Sequence, residues 1–582
     1  HEVEQAVAEG RDFVDHEGQR LPATQETLAA LDSLLNTPKK LPKDPTTTFA
    51  LLIEGNYEEV GCGTSLTTRA SLSSAAVPTC LRTALKDHQI HGLRWLQDAW
   101  HQGMPGLLLA DDMGLGKTLQ ALTFLAWLRE NTRLDPGPNE GGILIVAPTA
   151  LLRNWKAEAE KHLEEPGLGE VLEIHGSSLR RVRHPSGQGL NVDLLRQADC
   201  LLTTYETLQG YQTDFGSIRF RCLVLDEAQK VKSPDTQVTS AIKAVNADFK
   251  IAMTGTPVEN RRADLWCVSD TVYPGLLGSL KEFSQAYEKD ESHEAAAKLH
   301  GLITKADGND RTPQPFMLRR MKQDILDGLP PKNSFTLLED MPSLQAQRYR
   351  GILDSSRGTA PGGKLMAIQA LRTVSLHPWL ADGDHQAAME FDTEHFIASS
   401  ARIKSLVKIL QSIQAAGEKA LLFVNSRSMQ QWLRVFVADI YGLTDVALIN
   451  GNTPGAQRQA AVDRFQNLPP GFGLMLLSPR AAGVGLTITA ANHVIHLERW
   501  WNPAVEDQCT DRVYRIGQDK PVTIWLPQAV HPAEGIRQHS FDLRIHDLLE
   551  NKRRLSRDLL APVENSDKDT AQLFHEIVDS AA

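Results

Sequence analysis

Cysteine is scarce in this sequence, and its spacing argues against two classes of protein. The six cysteines lie at positions 62, 80, 200, 222, 267 and 509, and no two of them form a C-x-x-C pair. Zinc modules and disulfide-rich secreted domains use closely spaced cysteines. We therefore expect buried free thiols in a reducing, cytoplasmic compartment rather than disulfides or a zinc site. The nineteen histidines show no close ligand set either, and we expect His88 and His91 at the surface rather than at a metal.

Long hydrophobic runs are also missing. No apolar stretch approaches the roughly 20 residues that a membrane-spanning helix requires, and no signal peptide is visible. We therefore expect no membrane partner. The chain begins at His1 rather than at methionine, so a longer parent protein and unseen targeting signals remain open.

The sequence also lacks an excess of positive charge. The formal net charge is -11 and the isoelectric point is near 6.0, whereas domains that bind nucleic acids are commonly basic. Any nucleic acid must therefore bind in a local cleft and not over a broad basic surface.

The sequence contains many short apolar runs that end in polar or glycine residues. The first series comprises GLLLA (106–110), GGILIVAP (141–148), ADCLLTTY (198–205), FRCLVLDE (220–227) and FKIAMTGT (249–256). A second series after residue 400 comprises KALLFVNS, DVALIN, GLMLLSP and HVIHLE. Helix-like stretches separate the runs, a pattern that predicts buried parallel strands with crossover helices. We expect an α/β protein with two lobes, each built on a parallel sheet.

The length of 582 residues exceeds what one hydrophobic core serves and predicts three or four domains. Ahead of the lobes, the sequence predicts an amphipathic helix at 28–35 and a strand at 46–55. The predicted regions are an N-terminal accessory region with a linker (1–80), the first lobe (81–334), a helical insertion with a linker (335–395), the second lobe (396–530) and a C-terminal helical segment (531–582).

DDMGLGKT (111–118) is the first motif that carries chemistry. The general phosphate-binding loop reads G-x-x-x-x-G-K-S/T; Gly116, Lys117 and Thr118 fit its end, but Asp111 stands where its first glycine belongs. The motif lies between an apolar strand and a helix, so backbone N–H groups at the helix start would face an anion. Lys117 would add a positive charge and Thr118 a hydroxyl group for Mg2+. The alternative is an ordinary glycine-rich turn.

Two further motifs extend this site. Asp226 and Glu227 end a predicted buried strand, which we expect to neighbour the strand before the loop; one carboxylate would hold Mg2+ and the other would position a water. The alternative is an exposed acidic turn. In QCTDRVYRIGQ (508–518), Arg512 and Arg515 would share one face of a helix. From a second lobe they would reach the γ-phosphate of a nucleotide across a cleft, although two such arginines alone are typical of a solvated helix face.

In order along residues 81–560, the motifs resemble the Swi/Snf family of ATP-driven DNA translocases, within superfamily 2 of helicase-like proteins. The first-lobe matches are LKDHQIHGLRWL, DDMGLGKTLQ, LIVAPTALLRNW, LLTTYETL, LDEAQKVKSP, MTGTPVENRRADLW and PFMLRRMKQDILDGLPPK. The second-lobe matches are ARIKSL, LLFVNS, INGNTPGAQRQAAVDRF, LSPRAAGVGLTITAANHVIHLERWWNPAVEDQ and the arginine motif. The family's loop itself begins with Asp, which accounts for Asp111; Asp112 and Thr487 depart from the family's usual Glu and Asn. The resemblance implies two RecA-like lobes and a DNA-dependent ATPase that uses ATP and Mg2+.

The resemblance also assigns roles to individual residues. Nucleotide binding falls to Gln89 as the adenine reader and to Asp112, Met113, Gly114, Leu115, Gly116, Lys117, Thr118, Gly485 and Gln508. Catalysis falls to Lys117, Asp226, Glu227, Arg512 and Arg515, with Thr118 and Asp226 at Mg2+ and Glu227 activating the water. Coupling between ATP and DNA falls to Thr254, Gly255 and Thr256. DNA contacts fall to Pro148, Thr149, Thr203, Thr204, Arg480, Gly483 and Trp501, a set that suits phosphate contact without base readout.

We therefore expect a DNA-stimulated ATPase that translocates on duplex DNA and remodels protein–DNA complexes. One alternative is a strand-separating DNA or RNA helicase, and another is an ATP-switched clamp on a protein partner. No histone-tail reader, zinc module or basic tail is visible, which favours a prokaryotic protein. Bacterial members of the family recycle RNA polymerase or serve in anti-phage defence systems such as Zorya and DISARM. Residues 1–80 do not resemble polymerase-binding modules, which favours a defence complex over a transcription complex.

Overall fold

The structure of this chain is a computed structural model. It describes residues 13–16, 19–22, 66–69, 76–131, 140–185, 187–258, 261–289, 293–305, 313–325, 329–357, 361–382, 392–443, 445–482, 486–559 and 566–579. The chain divides into two compact units, residues 1–56 and residues 57–582. In the first unit, strands β1 (Phe13–His16) and β2 (Gln19–Pro22) form an antiparallel pair. The helix predicted at 28–35 and the strand predicted at 46–55 lie outside the described residues.

In the larger unit, the first sheet is parallel throughout. Its strands are β3 (Gly106–Leu109), β4 (Glu140–Val146), β5 (Val171–Ile174), β6 (Cys200–Thr203), β7 (Arg219–Asp226), β8 (Asn246–Ala247), β9 (Lys250–Met253) and β10 (Met317–Leu318). They lie in the order β10-β3-β9-β7-β4-β6-β5, with β8 beside β7. Each apolar run of the first predicted series becomes one of these strands. The runs are continuous because helices cover both faces of the sheet.

The helices of this first lobe are α1 (Asp87–His101), α2 (Lys117–Asn131), α3 (Thr149–His162), α4 (Leu179–Val182), α5 (Val192–Gln197), α6 (Tyr205–Gly210), α7 (Gln212–Gly216), α8 (Gln237–Lys243), α9 (Arg262–Val272), α10 (Leu280–Phe283), α11 (His293–Thr304) and α12 (Lys322–Ile325). Helix α2 is buried on nearly all sides, from Leu119 to Leu128. Its aromatic residues Phe124 and Trp127 pack beneath the sheet, with the rings of Phe124 and Phe249 5.5 Å apart. This burial fixes the start of α2, and with it the end of the phosphate loop.

The second sheet is also parallel. Its strands are β11 (Lys332–Asp340), β12 (Lys419–Phe423), β13 (Ala447–Ile449), β14 (Gly473–Leu477), β15 (His493–His496) and β16 (Val522–Val530). They lie in the order β11-β16-β15-β12-β14-β13. The second predicted series of runs therefore forms β12 to β15, and the predicted α/β class with two parallel-sheet lobes is confirmed.

The helices of the second half are α13 (Ser343–Ser356), α14 (Pro361–Leu376), α15 (Thr393–Ser399), α16 (Ala401–Ala416), α17 (Arg427–Tyr441), α18 (Gly455–Gln466), α19 (Pro479–Ala482), α20 (Pro503–Thr510), α21 (Glu534–Arg537), α22 (Phe541–Leu559) and α23 (Ser566–Phe574). Helices α13, α14, α22 and α23 share one hydrophobic core, which includes Tyr349, Leu371, Ile545, Leu549 and Phe574. The stretches predicted as an insertion and as a C-terminal segment therefore pack together in one helical layer.

One prediction about this region needs correction. The insertion at 335–395 was expected to be helical, but it begins within strand β11, which pairs with β16 from Lys332↔Val522 to Asp340↔Val530. Strand β11 lies at the edge of the sheet and is largely exposed, so it has no continuous apolar run to reveal it. Its pairing depends on a partner strand far along the chain. The boundaries of the domains otherwise remain predictions.

The structure also describes cysteines and helices that the sequence analysis considered. Cys80, Cys200, Cys222, Cys267 and Cys509 are buried free thiols, whereas Cys62 lies outside the described residues. Within the described ranges, no helix is both long enough and apolar enough to cross a membrane.

Candidate nucleotide-binding site

The phosphate loop joins β3 to α2 and needs both of its glycines. Gly114 and Gly116 have φ values of +82° and +79°, a region that side chains rarely adopt. A Cβ atom on Gly116 would lie 2.6 Å from Nε2 of Gln89, which would force the two apart. Helix α2 begins at Lys117, so its free N–H groups point towards the loop. This arrangement can bind an anion.

Asp111, at the position of the missing glycine, is a buried structural residue. It is fully excluded from solvent, and its carboxylate forms a bidentate pair with the guanidinium of Arg320, with an Nε–Oδ1 distance of 2.9 Å. Gln120 completes the group, because its Nε2 donates to Asp111 at 3.2 Å and its Oε1 accepts from Arg320 at 2.8 Å. A Cβ atom on Gly92 would lie 1.9 Å from that Oε1, so α1 also depends on a glycine here. The loop is therefore supported by a buried ion pair at the position where the general loop has its first glycine.

Lys117 lies over the loop that precedes it. Its ammonium group donates to the carbonyl oxygens of Asp111 at 2.7 Å and of Asp112 at 3.3 Å. Both the lysine and the adjacent Thr118 are partly exposed. The ammonium group is thus held at the mouth of the loop by backbone carbonyl oxygens, where a phosphate group could replace them as its partner.

Gln89 and His88 support the loop from α1. The Gln89 side chain accepts from the backbone N of Lys86 at 3.0 Å and donates to the carbonyl oxygen of Leu115 at 3.4 Å. His88 was expected at the surface, and this was wrong: it is buried, and its Nε2 lies 3.0 Å from the same Leu115 oxygen. Burial lowers the pKa of His88, so the neutral ring donates this bond. Both side chains thus fix the position of the loop, and adenine reading by Gln89 remains a prediction.

Asp226 ends β7 and is held in place from two helices. Trp155 of α3 donates its indole N–H to the Asp226 carboxylate at 2.8 Å, and the hydroxyl group of Tyr205 donates to the Asp226 carbonyl oxygen at 2.8 Å. Burial, reinforced by the adjacent carboxylate of Glu227, raises the pKa of Asp226 to about 7. We expected β7 to lie next to β3, but β9 lies between these two strands. The motif that follows β9 therefore lies between the phosphate loop and the acidic pair.

Glu227 has a strained backbone, and its side chain is hydrogen-bonded to Gln229. Its φ and ψ are both 53°, in the left-handed region, which costs a non-glycine residue of the order of 1–3 kcal/mol. Gln229 donates to the Glu227 carboxylate at 2.7 Å and accepts from the Thr254 hydroxyl group at 2.8 Å. Thr254 in turn accepts from the backbone N of Thr256 at 3.0 Å. A continuous hydrogen-bonded chain thus joins the expected base to the expected coupling motif.

Gly255 connects this coupling motif to the phosphate loop. A Cβ atom there would lie 3.0 Å from Cγ of Met113 and 3.8 Å from Nζ of Lys117. The contact is tight enough that any larger side chain would displace Met113. The phosphate loop and the segment 254–256 therefore lie in contact, and coupling through Thr254 and Thr256 remains a prediction.

The arginines of the second lobe lie on a turn and not on the helix that the sequence predicted. Helix α20 ends at Thr510, and residues 511–517 form the segment that we call the arginine turn. Arg512 is buried; its carbonyl oxygen accepts from Ile488 at 2.9 Å, and its Nη1 donates to the Leu486 oxygen at 3.4 Å. At its C-terminus, α20 tightens into 3₁₀-type hydrogen bonds, such as the bond from the backbone N of Arg512 to the carbonyl oxygen of Cys509. Beyond these bonds the chain no longer follows the helix.

The arginine turn lies against the first lobe. A Cβ atom on Gly114 would be 3.1 Å from Cβ of Arg515. Burial lowers the pKa of Arg512, and the negative charge of Glu227 opposes that shift, so the two groups lie within electrostatic reach across the cleft. Gln508 lines a cavity of about 100 Å³ together with Asp112 and Met113, whereas Gly485 lies outside the described residues. The structure thus brings the loop, the acidic pair and the arginines together.

The acidic pair fits a divalent cation. Each oxygen of Asp226 accepts one hydrogen bond, from Trp155 or from the backbone N of Glu227, which leaves further lone pairs. Mg2+ prefers oxygen ligands and is often held by one or two carboxylates together with phosphates and water. Asp226 and Thr118 are therefore the residues that would hold it, and the ion would neutralise phosphate charge. Within the described ranges, no group of three or more His, Cys, Asp or Glu residues could hold a metal alone.

The expected DNA contacts of the first lobe divide into two kinds. Thr149 is exposed at the first turn of α3, which Pro148 caps. Thr203 and Thr204 are buried; the Thr203 hydroxyl group donates to Ile174 at 2.7 Å, and Thr204 caps α6 by accepting from Thr207. Both hydroxyl groups therefore take part in hydrogen bonds within the fold, and contact of Thr203 and Thr204 with DNA remains a prediction.

The two tryptophans also differ. Both are partly exposed; Trp501 packs against the core of the helical layer, whereas the guanidinium of the exposed Arg480 lies over the ring of Trp500, 5.4 Å from the centroid. Of the two rings, Trp500 is the one that lies beside Arg480. Gly483 lies outside the described residues. The roles of all these residues in binding and catalysis remain predictions.

The sequence motifs gave no role to several residues that complete the site. Arg320 lies within the quoted match PFMLRRMKQ, and Gln229 within LDEAQK, but nothing local distinguishes them from surface residues. Trp155 and Tyr205 resemble ordinary core residues.

Comparison with known proteins agrees with this geometry. The SNF2-related domain family matches residues 88–376, and the helicase conserved C-terminal domain family matches residues 401–517. The chain is 35% identical to Zorya protein ZorD of Escherichia coli O139:H28 (strain E24377A / ETEC), over 89% of this chain and 49% of ZorD. It is 31% identical to YwqA of Bacillus subtilis (strain 168), over 85% of this chain and 51% of YwqA.

Among solved structures, the Sulfolobus solfataricus SWI2/SNF2 ATPase core in complex with dsDNA is 28% identical, with a TM-score of 0.40, over 88% of this chain and 100% of that chain. The chain spans about half the length of the curated relatives that it matches. The two family matches together extend over well more than half of the chain and contain the residues on both sides of the cleft. The chain belongs to the SNF2-related family of helicase-like ATPases.

Proposed function

We propose that this chain hydrolyses ATP in the cleft between its two lobes, is stimulated by DNA, and uses the cycle to translocate on duplex DNA and remodel protein–DNA complexes. The observation that carries the proposal is the approach of Arg515 to Gly114, which brings arginines of the second lobe to the phosphate loop of the first. A nucleotide held by that loop would lie between the two lobes. Its hydrolysis would then change how the lobes meet.

The chain's own residues divide the chemistry among them. Lys117 and the start of α2 would bind the phosphates, Asp226 and Thr118 would hold Mg2+, and Glu227 would orient the attacking water. Arg512 and Arg515 would stabilise the charge that develops on the γ-phosphate, a contribution worth roughly 10³–10⁵ in rate in related nucleotide hydrolases. Gln229 is hydrogen-bonded to both Glu227 and Thr254, so a movement of the Glu227 carboxylate would shift Thr254.

Duplex DNA is the partner that the site residues support best. The exposed candidates Thr149 and Arg480 offer a hydroxyl group and a positive charge, which suit phosphate contacts and no base readout. A chain with a net charge of -11 must bind DNA through such a local set. The Sulfolobus core that the chain is similar to was solved in complex with dsDNA.

The first test measures ATP turnover with duplex DNA, single-stranded DNA, RNA and no nucleic acid. We expect the largest stimulation by duplex DNA and none in Glu227→Gln. Equal rates with and without nucleic acid would favour the ATP-switched clamp, and stimulation by single strands or RNA would favour the strand-separating helicase.

The second test separates translocation from unwinding. ATP should drive displacement of a third strand from a triplex, whereas a forked duplex of similar length should stay paired. The sequence contains no clear hairpin with an aromatic side chain that would separate strands, and Trp500 and Trp501 precede a helix rather than occupy a hairpin tip. Separation of the fork without displacement from the triplex would make the helicase alternative the better account.

We further propose a role in a prokaryotic anti-phage defence complex, because the chain is similar to a Zorya protein. A cytoplasmic location and protein partners in such a complex are part of this proposal. A host that carries the gene with its natural neighbours should form fewer phage plaques than one in which Glu227 is replaced by Gln. Equal plaque counts for the two would argue against defence and leave a transcription complex as the alternative.

A further inference from the structure

We propose that Lys322 is a positioning residue that fixes the arginine turn of the second lobe over the phosphate loop of the first. The inference rests on the proposed ATPase function, since it concerns how the two halves of that site meet. Lys322 belongs to the first lobe, where it begins α12 after the edge strand β10.

The backbone of Lys322 is tied to the phosphate loop. Its N–H donates to the carboxylate of Asp112 at 3.4 Å. Two residues earlier, the Arg320 carbonyl oxygen accepts from the backbone N of Asp112 at 2.9 Å, while the Arg320 side chain pairs with Asp111. The segment 320–322 therefore moves with the loop.

The side chain of Lys322 crosses to the other lobe. Its ammonium group lies 2.7 Å from Oδ1 of Asp511 and donates to the carbonyl oxygen of Tyr514 at 3.1 Å. Both acceptors belong to the arginine turn, one before Arg512 and one before Arg515. Only 2% of the lysine side chain and 12% of the Asp511 side chain are exposed.

Lys322 also fills the space between the loop and the turn. A Cβ atom on Gly114 would lie 3.2 Å from Cε of Lys322 and 3.1 Å from Cβ of Arg515. The glycine, the lysine and the arginine are thus in near contact.

A buried ammonium group is stable only when it is paired. Lys322 and Asp511 are on opposite lobes, so the pair exists only when the lobes are together and both ions return to water when the lobes part. The pair contributes little to nucleotide binding by the first lobe alone. It favours the closed arrangement and fixes the register of Arg512 and Arg515 within it.

The experiment compares Lys322→Met, Lys322→Glu and the charge-swapped double variant Lys322→Glu/Asp511→Lys in the full chain. Misplacement of a reacting group by about 1 Å can cost 10²-fold, so we expect Lys322→Met to lower kcat about 10²-fold while ATP affinity stays within twofold. Lys322→Glu should lower kcat further than Lys322→Met does, because it places a carboxylate against that of Asp511. The double variant should recover part of the loss. Lys408→Met is the matched control, since Lys408 pairs with Glu339 on the surface and is 60% exposed.

A second readout does not depend on hydrolysis. Spin labels at the exposed positions Glu160 and Val435, one in each lobe, should report a broader distance distribution in Lys322→Met than in the unaltered chain with a non-hydrolysable ATP analogue. Normal kcat and an unchanged distribution in Lys322→Met would overturn the inference. So would an equal loss in Lys322→Glu and the double variant. If the unaltered chain failed to hydrolyse ATP, the proposed function would fail, while the distance measurement would still decide the role of Lys322.

Discussion

Replacing Asp111 with glycine would give the phosphate loop its general G-x-x-x-x-G-K-S/T form, and we expect that change to damage the protein. Asp111 is fully buried, and Arg320, with 10% of its side chain exposed, is its ion-pair partner. In Asp111→Gly the guanidinium would remain in the interior without its carboxylate. The substitution thus tests whether the loop depends on its own backbone or on the ion pair beneath it.

The magnitude follows from the contacts that remain. Removing one partner of a buried pair typically costs about 3–5 kcal/mol. Arg320 would still donate to the His88 carbonyl oxygen and to Gln120, so we expect the lower end of that range. A loss of about 3 kcal/mol is a factor of about 10² in the local opening equilibrium.

Hydrogen exchange is the suitable assay, because a chain with two sheets need not unfold in one step. The amide groups of the loop and of the first turns of α2 should lose about 10² in protection, and affinity for an ATP analogue should fall with them. Asp193→Ala is the matched control: Asp193 pairs with Arg196 but is 84% exposed, so its loss should cost at most about 1 kcal/mol.

A double-mutant cycle with Arg320→Met sharpens the test. If the ion pair is the cause, Asp111→Gly/Arg320→Met should be less destabilised than the sum of the single variants. Wild-type protection and nucleotide affinity in Asp111→Gly would refute the reasoning. Full additivity in the cycle would show that the two residues act independently.

Four further predictions follow from the site and its surroundings. Glu227→Gln should bind ATP normally but nearly stop turnover, because Asp226 still holds Mg2+; near-normal steady-state turnover would contradict the assignment. Arg512→Ala should lower turnover per bound ATP with little loss of affinity in the open state, and the reverse result would make Arg512 a binding residue. The affinity for duplex DNA should fall linearly on a log–log plot against salt, with a slope of about -0.9 per neutralised phosphate and almost no sequence preference. Burial lowers the pKa of His377 to about 4, so below about pH 6.5 its unfolded form binds a proton that the folded form excludes, and this side chain should lower the free energy of unfolding by about 1.4 kcal/mol per pH unit down to about pH 4; His377→Phe should reduce the pH slope in denaturation curves by that amount, and an unchanged slope would contradict the burial argument.

The sequence by itself determined the α/β class and the central strands. Runs such as FRCLVLDE are buried on both faces of a sheet, so their apolar character is continuous and visible locally. It also indicated the phosphate loop and the acidic pair, because glycines, Lys117 and a D-E pair at a strand end are required by the chemistry of phosphate and Mg2+ at short range along the chain. The edge strand β11 was missed because an exposed strand carries no such run.

Only the tertiary structure decided which polar residues were structural and which were free to act. Asp111 is satisfied by Arg320, 209 residues away, and Lys322 by Asp511 in the other lobe. The hydroxyl group of Thr203 donates to the carbonyl oxygen of Ile174, a contact that neither segment reveals by itself. A hydrogen bond or an ion pair between distant residues leaves no periodic pattern in either segment, and whether a polar group is buried depends on what the rest of the chain places over it. The strands could therefore be predicted from their own residues, whereas the partners that hold the site together could not.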